Sequence, residues 1–397
     1  MAMIIVVPKE TSPNERRVAL TPLAAAKLIK RGHEVRIQAG AGEAAGYPDD
    51  QYREKNVAIV QDRAELIRGG NVVLQVRTPG ANPQQGSQDL EHLREGQILI
   101  GLAEPLLAAE QAKQLAERGV TLFALELIPR ITKAQAMDVL SSQANLAGYK
   151  AVITAAQTLG KIFPLMMTAA GTLRPARVFV VGAGVAGLQA IATAKRLGAL
   201  VQAFDVRPVV KEQVESLGAR FVQIEVAAAE GTGGYAKEQS EEQIRRQQEL
   251  MSRVVAESDV VITTALIPGR PAPKLVTRAM VEQMPPGSVI VDLAAERGGN
   301  CELTQPGETI THGGVMIVGD DNLVSAVAQH ASAMYANNIV AFLEHLLGKK
   351  QSIELDRADA ITAGTLVCTG GEIVHPQLRE KLGLAPLEAP REGIVAS

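Results

Sequence analysis

The sequence predicts an α/β protein made of two doubly wound parallel-sheet domains joined by long helices. Strand-like and helical patterns alternate over residues 1–132, and a second alternating series begins with the apolar run at residues 178–181. Helical segments rich in small residues separate the two series. With 397 residues, 46% of them hydrophobic, the chain is long and apolar enough for two or three packed domains.

The first series indicates a Rossmann-like domain, because short apolar runs bounded by turn residues alternate with amphipathic segments. This alternation favours a parallel sheet covered by helices on both faces. Strands are predicted at Ile4–Val7, Glu34–Gln38, Asn56–Val60, Val72–Val76, Ile98–Gly101 and Val120–Ala124, and helices at Pro22–Arg31, Asp62–Arg68 and Leu107–Arg118.

Two long helices are predicted to connect the domains. The first runs from Lys133 to about Leu159, and the second, from about Asn322 to Leu347, returns the chain to the first domain. Met166–Pro175 is predicted to be a loop. We therefore expect an N-terminal domain of residues 1–132 plus 348–397, a second domain of residues 133–347, and a ligand-binding cleft between them.

The second domain begins with a glycine-rich turn of the kind that binds dinucleotides. Val178–Val181 is typical of a buried strand, and Gly182, Gly184 and Gly187 follow it with the spacing Gly-x-Gly-x-x-Gly before a helical segment. Gly182 permits the tight turn, Gly184 lets a pyrophosphate approach the backbone, and Gly187 lets the helix pack closely. The free N–H groups and the positive dipole end of that helix favour phosphate.

An acidic residue completes this fingerprint. Asp205 follows the next strand, Leu200–Phe204, where it can accept hydrogen bonds from the adenosine ribose hydroxyls. Its charge would repel a 2′-phosphate and favours NAD(H), although Arg207 could instead receive such a phosphate. Further strands of this domain are predicted at Arg220–Val222, Val260–Thr263, Ser288–Asp292 and Val315–Val318.

Another glycine-rich stretch has a simpler interpretation. Gly40–Gly46 follows a predicted strand with the spacing Gly-x-Gly-x-x-x-Gly, and Tyr47–Asp50 places a proline and turn formers where a helix should run. We expect this stretch to be a structural turn without a ligand.

Composition and charge narrow the function classes. A net charge of −3 and a pI of about 6.1 argue against nucleic-acid binding. Cys301 and Cys368 fit no metal-ligand spacing, so no metal site is expected, and buried apolar side chains are the simpler interpretation. Residues 178–194 are uncharged, but they contain the glycine turn, which favours a strand–turn–helix over a membrane span. We expect a soluble protein without a signal peptide.

A polar segment lies where the two domains are expected to meet. On the predicted helix from Lys133, the side chains of Gln135, Asp138 and Ser142 fall at i, i+3 and i+7 and form one polar stripe. Such a stripe is either a solvated face or one wall of the expected cleft. Asp138 could also pair with Arg130 and simply fix the loop.

The same segment carries a family resemblance. Arg130-x4-Gln135-x2-Asp138, followed by Leu-Ser-Ser-Gln-Ala-Asn-Leu-Ala-Gly-Tyr, resembles the signature loop of the NAD(H)-binding domain of proton-translocating nicotinamide nucleotide transhydrogenase. The resemblance covers nearly the whole chain. Matching segments include Pro8–Glu10, Glu15–Leu20, Ala124–Arg130, Ala169–Pro175, Asp205–Arg207, Glu212–Gly218 and Thr263–Gly269.

The resemblance implies two Rossmann-like domains, a homodimer and a set of site residues. Arg130, Gln135, Asp138 and Ser141 would line the nicotinamide end of NAD(H), and Gln135 would also meet the NADP(H) of a partner. The glycine-rich segment around Tyr235 matches the family's mobile loop. The cofactor-binding residues implied are Gly182, Gly184, Val185, Ala186, Gly187, Asp205, Val206, Arg207, Tyr235, Thr264, Ala265 and Leu266.

The activity implied is hydride transfer from NADH to NADP⁺, coupled to proton translocation. NADP(H) would be bound by a partner subunit, and another partner would span the membrane. This chain would then be cytoplasmic and soluble, and peripherally associated with the inner membrane through those subunits. Hydride transfer between two nicotinamides needs no proton transfer to a substrate, so the site needs no general acid or base.

Alanine dehydrogenase has the same fold and is the alternative. Its chemistry on 2-oxoacids relies on an arginine, a lysine and a histidine. Arg17 matches the arginine, but the lysine position holds Arg77, and the histidine region, Gln97–Glu104, contains no histidine. Arginine stays protonated and is a poor proton shuttle, so reductive amination is expected to be disabled. A nucleotide-binding regulator without catalysis is a third hypothesis.

Overall fold

A computed structural model describes residues 2–222, 241–266, 269–348, 352–353 and 355–387. The chain divides into two compact units. The first unit is Met1–Gln143 with Val327–Ser397, and the second is Ala144–Ala326. In the described part of the chain, no helix has both the length and the apolar composition needed to cross a membrane.

The strands of both units are numbered in chain order. They are β1 (Ile4–Val7), β2 (Glu34–Gln38), β3 (Ala58–Val60), β4 (Val72–Arg77), β5 (Ile98–Leu102), β6 (Thr121–Ala124), β7 (Met166–Thr168), β8 (Gly171–Leu173), β9 (Arg177–Val181), β10 (Leu200–Phe204), β11 (Arg220–Phe221), β12 (Val260–Thr263), β13 (Val289–Asp292), β14 (Thr309–His312), β15 (Val315–Val318), β16 (Leu366–Thr369) and β17 (Glu372–Ile373).

The α-helices are numbered in the same way. They are α1 (Pro22–Lys30), α2 (Asp49–Arg53), α3 (Arg63–Gly69), α4 (Ser87–Leu90), α5 (Ala109–Glu117), α6 (Val139–Thr158), α7 (Val185–Arg196), α8 (Lys211–Ser216), α9 (Glu241–Ala256), α10 (Arg278–Val281), α11 (Ala328–Leu347), α12 (Ala360–Thr365) and α13 (Pro376–Lys381).

The first unit is built on an eight-stranded sheet with the order β17-β16-β6-β5-β4-β1-β2-β3. Along the sheet, β6, β5, β4, β1, β2 and β3 are each parallel to their neighbours. The remaining two strands, β16 and β17, add an antiparallel edge beside β6. Ile5–Val7 of β1 and the β-branched residues of β4 are buried on both faces, as a parallel sheet covered by helices requires. Helix α11 contributes Phe342 to the core, where its ring meets that of Phe123 edge to face at 5.4 Å.

The second unit is built on a seven-stranded sheet with the order β11-β10-β9-β12-β13-β15-β14. All neighbouring strands are parallel except β14 and β15. The buried strand β9 lies between β10 and β12, so the glycine-rich turn leaves the middle of the sheet. In sheets of this kind, the chain adds strands first on one side of the central strand and then on the other. Ligands bind at the carboxyl ends of the strands where this change of side occurs.

These two sheets confirm the predicted fold class, but three predicted elements were wrong. The first connecting helix begins at Val139 rather than Lys133, because Thr132–Met137 forms a 3-10 helix and Asp138 caps α6. The second begins at Ala328, after a 3-10 turn at Leu323–Val327, and it packs within the first unit. Met166–Pro175 is not a plain loop, since β7 and β8 form a hairpin there.

Candidate dinucleotide-binding site

The turn between β9 and α7 has the geometry that its glycines predict. Gly182 has φ +98°, a conformation that L side chains rarely adopt, and a Cβ there would come within 2.5 Å of Thr264 Oγ1. A Cβ on Gly187 would overlap the carbonyl oxygen of Gly182. Both positions therefore need glycine for the fold of the turn itself.

Gly184 is different, because its missing side chain leaves open space. It precedes α7 with φ −76°, and the nearest atom to an added Cβ would be Arg207 Nη2 at 3.9 Å. Within the described residues no side chain caps the N-terminus of α7, where Val185 and Ala186 form the first turn. The amides of that turn can thus donate to a ligand, and the helix dipole favours an anion.

Asp205 fixes the turn from the end of the neighbouring strand. Its Oδ2 accepts a hydrogen bond from the amide of Ala183 at 2.7 Å. Its two oxygens also accept from Arg207 Nε at 3.0 Å and from Nη2 at 2.9 Å, and the Asp205 side chain is only 7% exposed. The two residues that the sequence offers as competing determinants of NAD or NADP binding therefore form one ion pair. Between them, Val206 packs against the apolar core of this unit.

The segment after β12 forms the other side of this turn. Thr264 Oγ1 lies 3.1 Å from the carbonyl oxygen of Gly182 and can donate to it. Ala265 exchanges two hydrogen bonds with the side chain of Asn300, both at 2.9 Å, and Leu266 is exposed. Thr264, Ala265 and Leu266 therefore stand at the carboxyl ends of β9 and β12, beside the glycine turn.

Asn300 and Asp292 are supporting residues that reasoning from the sequence missed. Asn300 is fully buried, and its Nδ2 also donates to the carbonyl of Pro273 at 2.9 Å. Asp292, also fully buried, accepts from Thr263 Oγ1 at 2.9 Å, from Thr304 Oγ1 at 2.7 Å and from the amide of Cys301 at 3.0 Å. The sequence offered two signals for these residues. Asn300 directly follows Gly298-Gly299, and Asp292 is an acid at the end of β13.

The arrangement in the second unit fits a dinucleotide. It combines a left-handed glycine, an open glycine, an uncapped helix N-terminus and a carboxylate after the adjacent strand. A pyrophosphate needs the first three features, and a ribose needs an acceptor such as Asp205. Tyr235, the remaining predicted cofactor contact, lies outside the described residues. Among the described residues no cluster of His, Cys, Asp and Glu could hold a metal ion.

The predicted nicotinamide-end residues lie together in the first unit. Arg130 and Gln135 are exposed before and within the 3-10 helix Thr132–Met137. Asp138 follows it and accepts from the amide of Ser141 at 2.9 Å and from the Ser141 hydroxyl at 2.6 Å. Asp138 is thus the N-terminal cap of α6, a role that fixes the start of the helix.

The predicted polar stripe of Gln135, Asp138 and Ser142 was wrong. These residues do not share one helix, because α6 begins only at Val139. Ser142 is buried, and its hydroxyl bonds to Asn338 Oδ1 at 2.7 Å. The helical periodicity assumed for the stripe fails where a 3-10 turn precedes an α-helix.

A second group of charges is buried in the first unit. Arg17 makes a two-pronged contact with Glu15, through Nε at 2.8 Å and Nη2 at 2.6 Å, and Arg77 Nε reaches the same carboxylate at 3.2 Å. Glu10 accepts from the backbone amides of Val76 and Arg77. Burial, with the charge of Glu15 as the second cause, raises the pKa of Glu10 to about 8. Arg17 and Arg77 therefore both contact the carboxylate of Glu15, a residue of the same unit.

Residues 97–104, where the sequence lacks the histidine of alanine dehydrogenase, also form hydrogen bonds within the first unit. Glu126 accepts hydrogen bonds from the amides of Ala103 and Glu104. Burial raises the pKa of Glu126 to about 7, and Glu104 adds to the shift. Gln97 is fully buried and donates to the carbonyls of Ile67 and Gly70.

The two sheets and the glycine turn define a dinucleotide-binding α/β protein. The family is shown by comparison: the chain belongs to the alanine dehydrogenase/PNT family, whose N-terminal domain model matches residues 6–147 and whose C-terminal domain model matches residues 151–376.

Relatives within the family are similar over nearly the full length. The chain is 46% identical to the first portion of the NAD(P) transhydrogenase subunit alpha of Rhodospirillum rubrum, over 95% of this chain and 99% of that protein. It is 32% identical to the alanine dehydrogenase of Halomonas elongata, over 98% of this chain and 99% of that enzyme. A crystal structure of transhydrogenase from Sinorhizobium meliloti matches with a TM-score of 0.83 and 46% identity, over 94% of this chain and 100% of that one. The resemblance inferred from the motifs is confirmed.

Proposed function

We propose that the chain is the NAD(H)-binding subunit of a proton-translocating NAD(P)⁺ transhydrogenase. In this proposal it presents NADH to NADP⁺ bound on a partner subunit, and the transfer is coupled to proton translocation. The main support is the 46% identity to the Rhodospirillum rubrum subunit, which spans nearly all of both chains. The dinucleotide geometry of the second unit agrees with it.

The second unit would hold the adenosine and pyrophosphate parts of NAD(H). The amides at the start of α7 would bind the pyrophosphate above Gly184, where no side chain intervenes. Asp205 would accept from the ribose hydroxyls once the Arg207 side chain, which donates to both carboxylate oxygens in the structure, moves aside. Thr264 would keep the turn in shape through Gly182. The negative charge of Asp205 favours NAD(H) over NADP(H).

The segment Arg130–Ser141 would serve the nicotinamide end. When bound, the reduced nicotinamide supplies the hydride. Arg130 and the amide of Gln135 would position that end, and the Asp138–Ser141 pair would hold the backbone that carries them. Because a hydride passes from carbon to carbon, these residues orient the reactants and exclude water rather than move protons.

The partner subunits would hold NADP(H) and cross the membrane. This chain would then be a peripheral cytoplasmic subunit. We also propose that it is a homodimer, and the hairpin β7–β8 supports this. Every residue of its two strands is exposed, including Met166, Met167 and Leu173, which are 43%, 76% and 51% exposed. Exposed apolar patches of this kind mark association surfaces.

Reconstitution tests the proposed function. The purified chain alone should bind NADH with little turnover, and mixing it with an NADP(H)-binding transhydrogenase domain should restore hydride transfer between nucleotides. Transfer is followed by stopped-flow fluorescence of NADH. A rate in the mixture no higher than in either component alone would reject the proposal, and tight NADH binding without transfer would instead favour a regulator.

Alanine dehydrogenase activity is the alternative, favoured by the proximity of Arg17 and Arg77. Their shared contact with Glu15 and the missing histidine argue against it. An assay with pyruvate, ammonia and NADH distinguishes the two functions, because only an amino-acid dehydrogenase consumes NADH there. Clear consumption would reverse the ranking.

Replacing Gln135 tests its assignment to the reacting end. Gln135→Asn keeps the amide but shortens the side chain by one methylene, and a misplacement of about 1 Å can cost on the order of 10²-fold in rate. We expect slower hydride transfer with near-normal NADH affinity. Gln88→Asn, the same change at another exposed position of the first unit, is the control. Unchanged transfer in Gln135→Asn would mean that Gln135 does not position the reactants.

A charge in the hairpin tests the dimer. Met167→Lys should shift the chain toward monomer in sedimentation velocity, because burying an unpaired ammonium in an apolar interface is unfavourable. Leu23→Lys, at a leucine of the first unit that is 71% exposed, is the matched control. If both variants sediment like the wild type, the hairpin is not the association surface.

A further inference from the structure

Asn338 stands directly behind the segment that carries Gln135. It is a buried residue of α11, and its Nδ2 donates to the carbonyl oxygen of Ala136 at 2.8 Å. Its Oδ1 accepts from the hydroxyl of Ser142 at 2.7 Å. A backbone carbonyl can only accept, so the amide orientation is fixed by chemistry. One side chain thus bonds on both sides of Asp138, to the 3-10 turn before it and to the first turn of α6 after it.

These bonds continue into the buried charges of the first unit. Gln143 Nε2 donates to the carbonyl of Ala331 at 3.2 Å and lies 3.3 Å from Ser142 Oγ. Arg17 Nη1 donates to Gln143 Oε1 at 3.0 Å, and Arg17 is held in turn by Glu15. The start of α6 is therefore anchored on its buried side to α11 and to an ion pair, while Gln135 remains exposed.

We propose that Asn338 is a positioning residue for hydride transfer, acting through the carbonyl of Ala136 to fix the backbone that presents Gln135 and Asp138. This inference rests on the proposed function. Asn338 touches no reactant; it sets where the 3-10 turn lies. A hydride transfer is sensitive to distance, so a small shift of that turn lowers the rate more than it lowers nucleotide binding.

The chain offers a matched control one residue away. Asn337 lies on the same helix but is exposed, and its bond to the described residues is one that it accepts from Lys27 Nζ at 3.1 Å. Asn338→Ala removes both bonds to the segment, Ser142→Ala removes one of them, and Asn337→Ala removes neither. We expect transfer rates in the reconstituted mixture to fall on the order of 10- to 100-fold in Asn338→Ala, less in Ser142→Ala, and not at all in Asn337→Ala. The Kd for NADH should stay within about twofold of wild type, because the fingerprint is unaltered.

Asn338→Asp adds a readout that a purely structural residue would not give. A protonated aspartic acid can donate to Ala136 and accept from Ser142, as asparagine does, whereas the ionised form faces the carbonyl with a negative charge. The transfer rate of this variant, divided by that of wild type at the same pH, should therefore recover as the pH falls. Wild type and Asn337→Ala should lack this titration.

The possible results distinguish the positioning role of Asn338 from the proposed function on which it rests. No transfer by the wild-type mixture rejects the proposed function. Wild-type transfer together with a normal rate in Asn338→Ala overturns the positioning role, and so does a parallel loss of rate and NADH affinity. If Asn338→Ala does not fold, the decision rests on Ser142→Ala and on the pH profile of Asn338→Asp. A normal transfer rate in Ser142→Ala, together with an Asn338→Asp rate relative to wild type that does not change with pH, overturns the positioning role.

Discussion

Two glycine-rich turns follow parallel strands in this chain, one in each unit, and their central glycines have opposite surroundings. After β2, a Cβ on Gly42 would overlap the carbonyl oxygen of Tyr47 and come within 2.7 Å of the Tyr52 hydroxyl. After β9, the nearest atom to a Cβ on Gly184 would be 3.9 Å away. The first glycine is required by the packing of its own chain, and the second leaves room for another molecule.

The difference shows what a glycine spacing alone does not say. Around Gly42 the space is filled by Tyr52, whose hydroxyl donates to the carbonyl of Leu20 at 2.8 Å, and the amide of Gly40 is bonded to Asp49. At Gly184 the following helix has 12 residues and, in the described part of the chain, no side-chain cap. This turn thus has the open amides that a binding turn requires, whereas the turn at Gly42 is filled by its own side chains.

The largest expected effect is on the structural turn. Gly42→Ala should lower the free energy of unfolding by about 1–3 kcal/mol or more, because the added Cβ must displace backbone and a buried tyrosine. NADH affinity should not change at temperatures where the variant is folded. Urea unfolding and NADH titration measure the two quantities. A stability equal to that of wild type would contradict the packing seen at Gly42.

We expect the opposite result for Gly184→Ala, namely unchanged stability and weaker NADH binding. Its backbone angles suit alanine and the Cβ meets nothing closer than 3.9 Å, so stability should be unchanged. The Cβ occupies the space where the pyrophosphate would approach, and we expect a loss of NADH affinity on the order of tenfold or more.

Gly160→Ala is the matched control for Gly184→Ala, because a Cβ at Gly160 also meets no atom within 4 Å and lies outside the turn. It should keep both stability and affinity. Equal NADH affinity in Gly184→Ala and Gly160→Ala would show that the open space at Gly184 is not used by the nucleotide.

The last expected effect is a pH dependence of stability, and it concerns Glu10 in the first unit. Its pKa is raised to about 8 in the folded chain, so the folded state binds the proton more tightly than the unfolded state. Stability should therefore fall as the pH rises from about 4.5 to about 8 and then level off. Glu10→Gln should reduce this slope, as measured by urea midpoints from pH 5 to 8. Parallel curves for variant and wild type would assign the pH dependence to other groups.

The features that could be predicted from the sequence are those encoded by neighbours in the chain. The apolar runs located β9 and β10, and the spacing of Gly182, Gly184 and Gly187 identified the turn between them. The predicted start of α6 came too early, because Asp138 acts as a cap only through the amide and hydroxyl of Ser141. Local periodicity does not distinguish that cap from a residue in mid-helix.

Residues that act across long separations could not be predicted. Asn338 bonds to residues about two hundred positions earlier, and Asn300 reaches back to Ala265. Nothing in the local sequence of α11 separates Asn338 from Asn337, although one is buried and the other exposed. Such pairings depend on the order of strands in the sheets and on which helix covers which face.

One carboxylate in the second unit has a structural role and a proposed binding role. Asp205 holds the Ala183 amide in the glycine turn, and in the proposed complex it would also present the charge that disfavours a 2′-phosphate. Replacing Asp205 with a residue that has no side-chain acceptor, to favour the phosphorylated coenzyme, would therefore loosen the loop. A redesign has to keep an acceptor for the Ala183 amide, as the side-chain oxygen of asparagine would, since the loop shape and the proposed coenzyme choice depend on the same side chain.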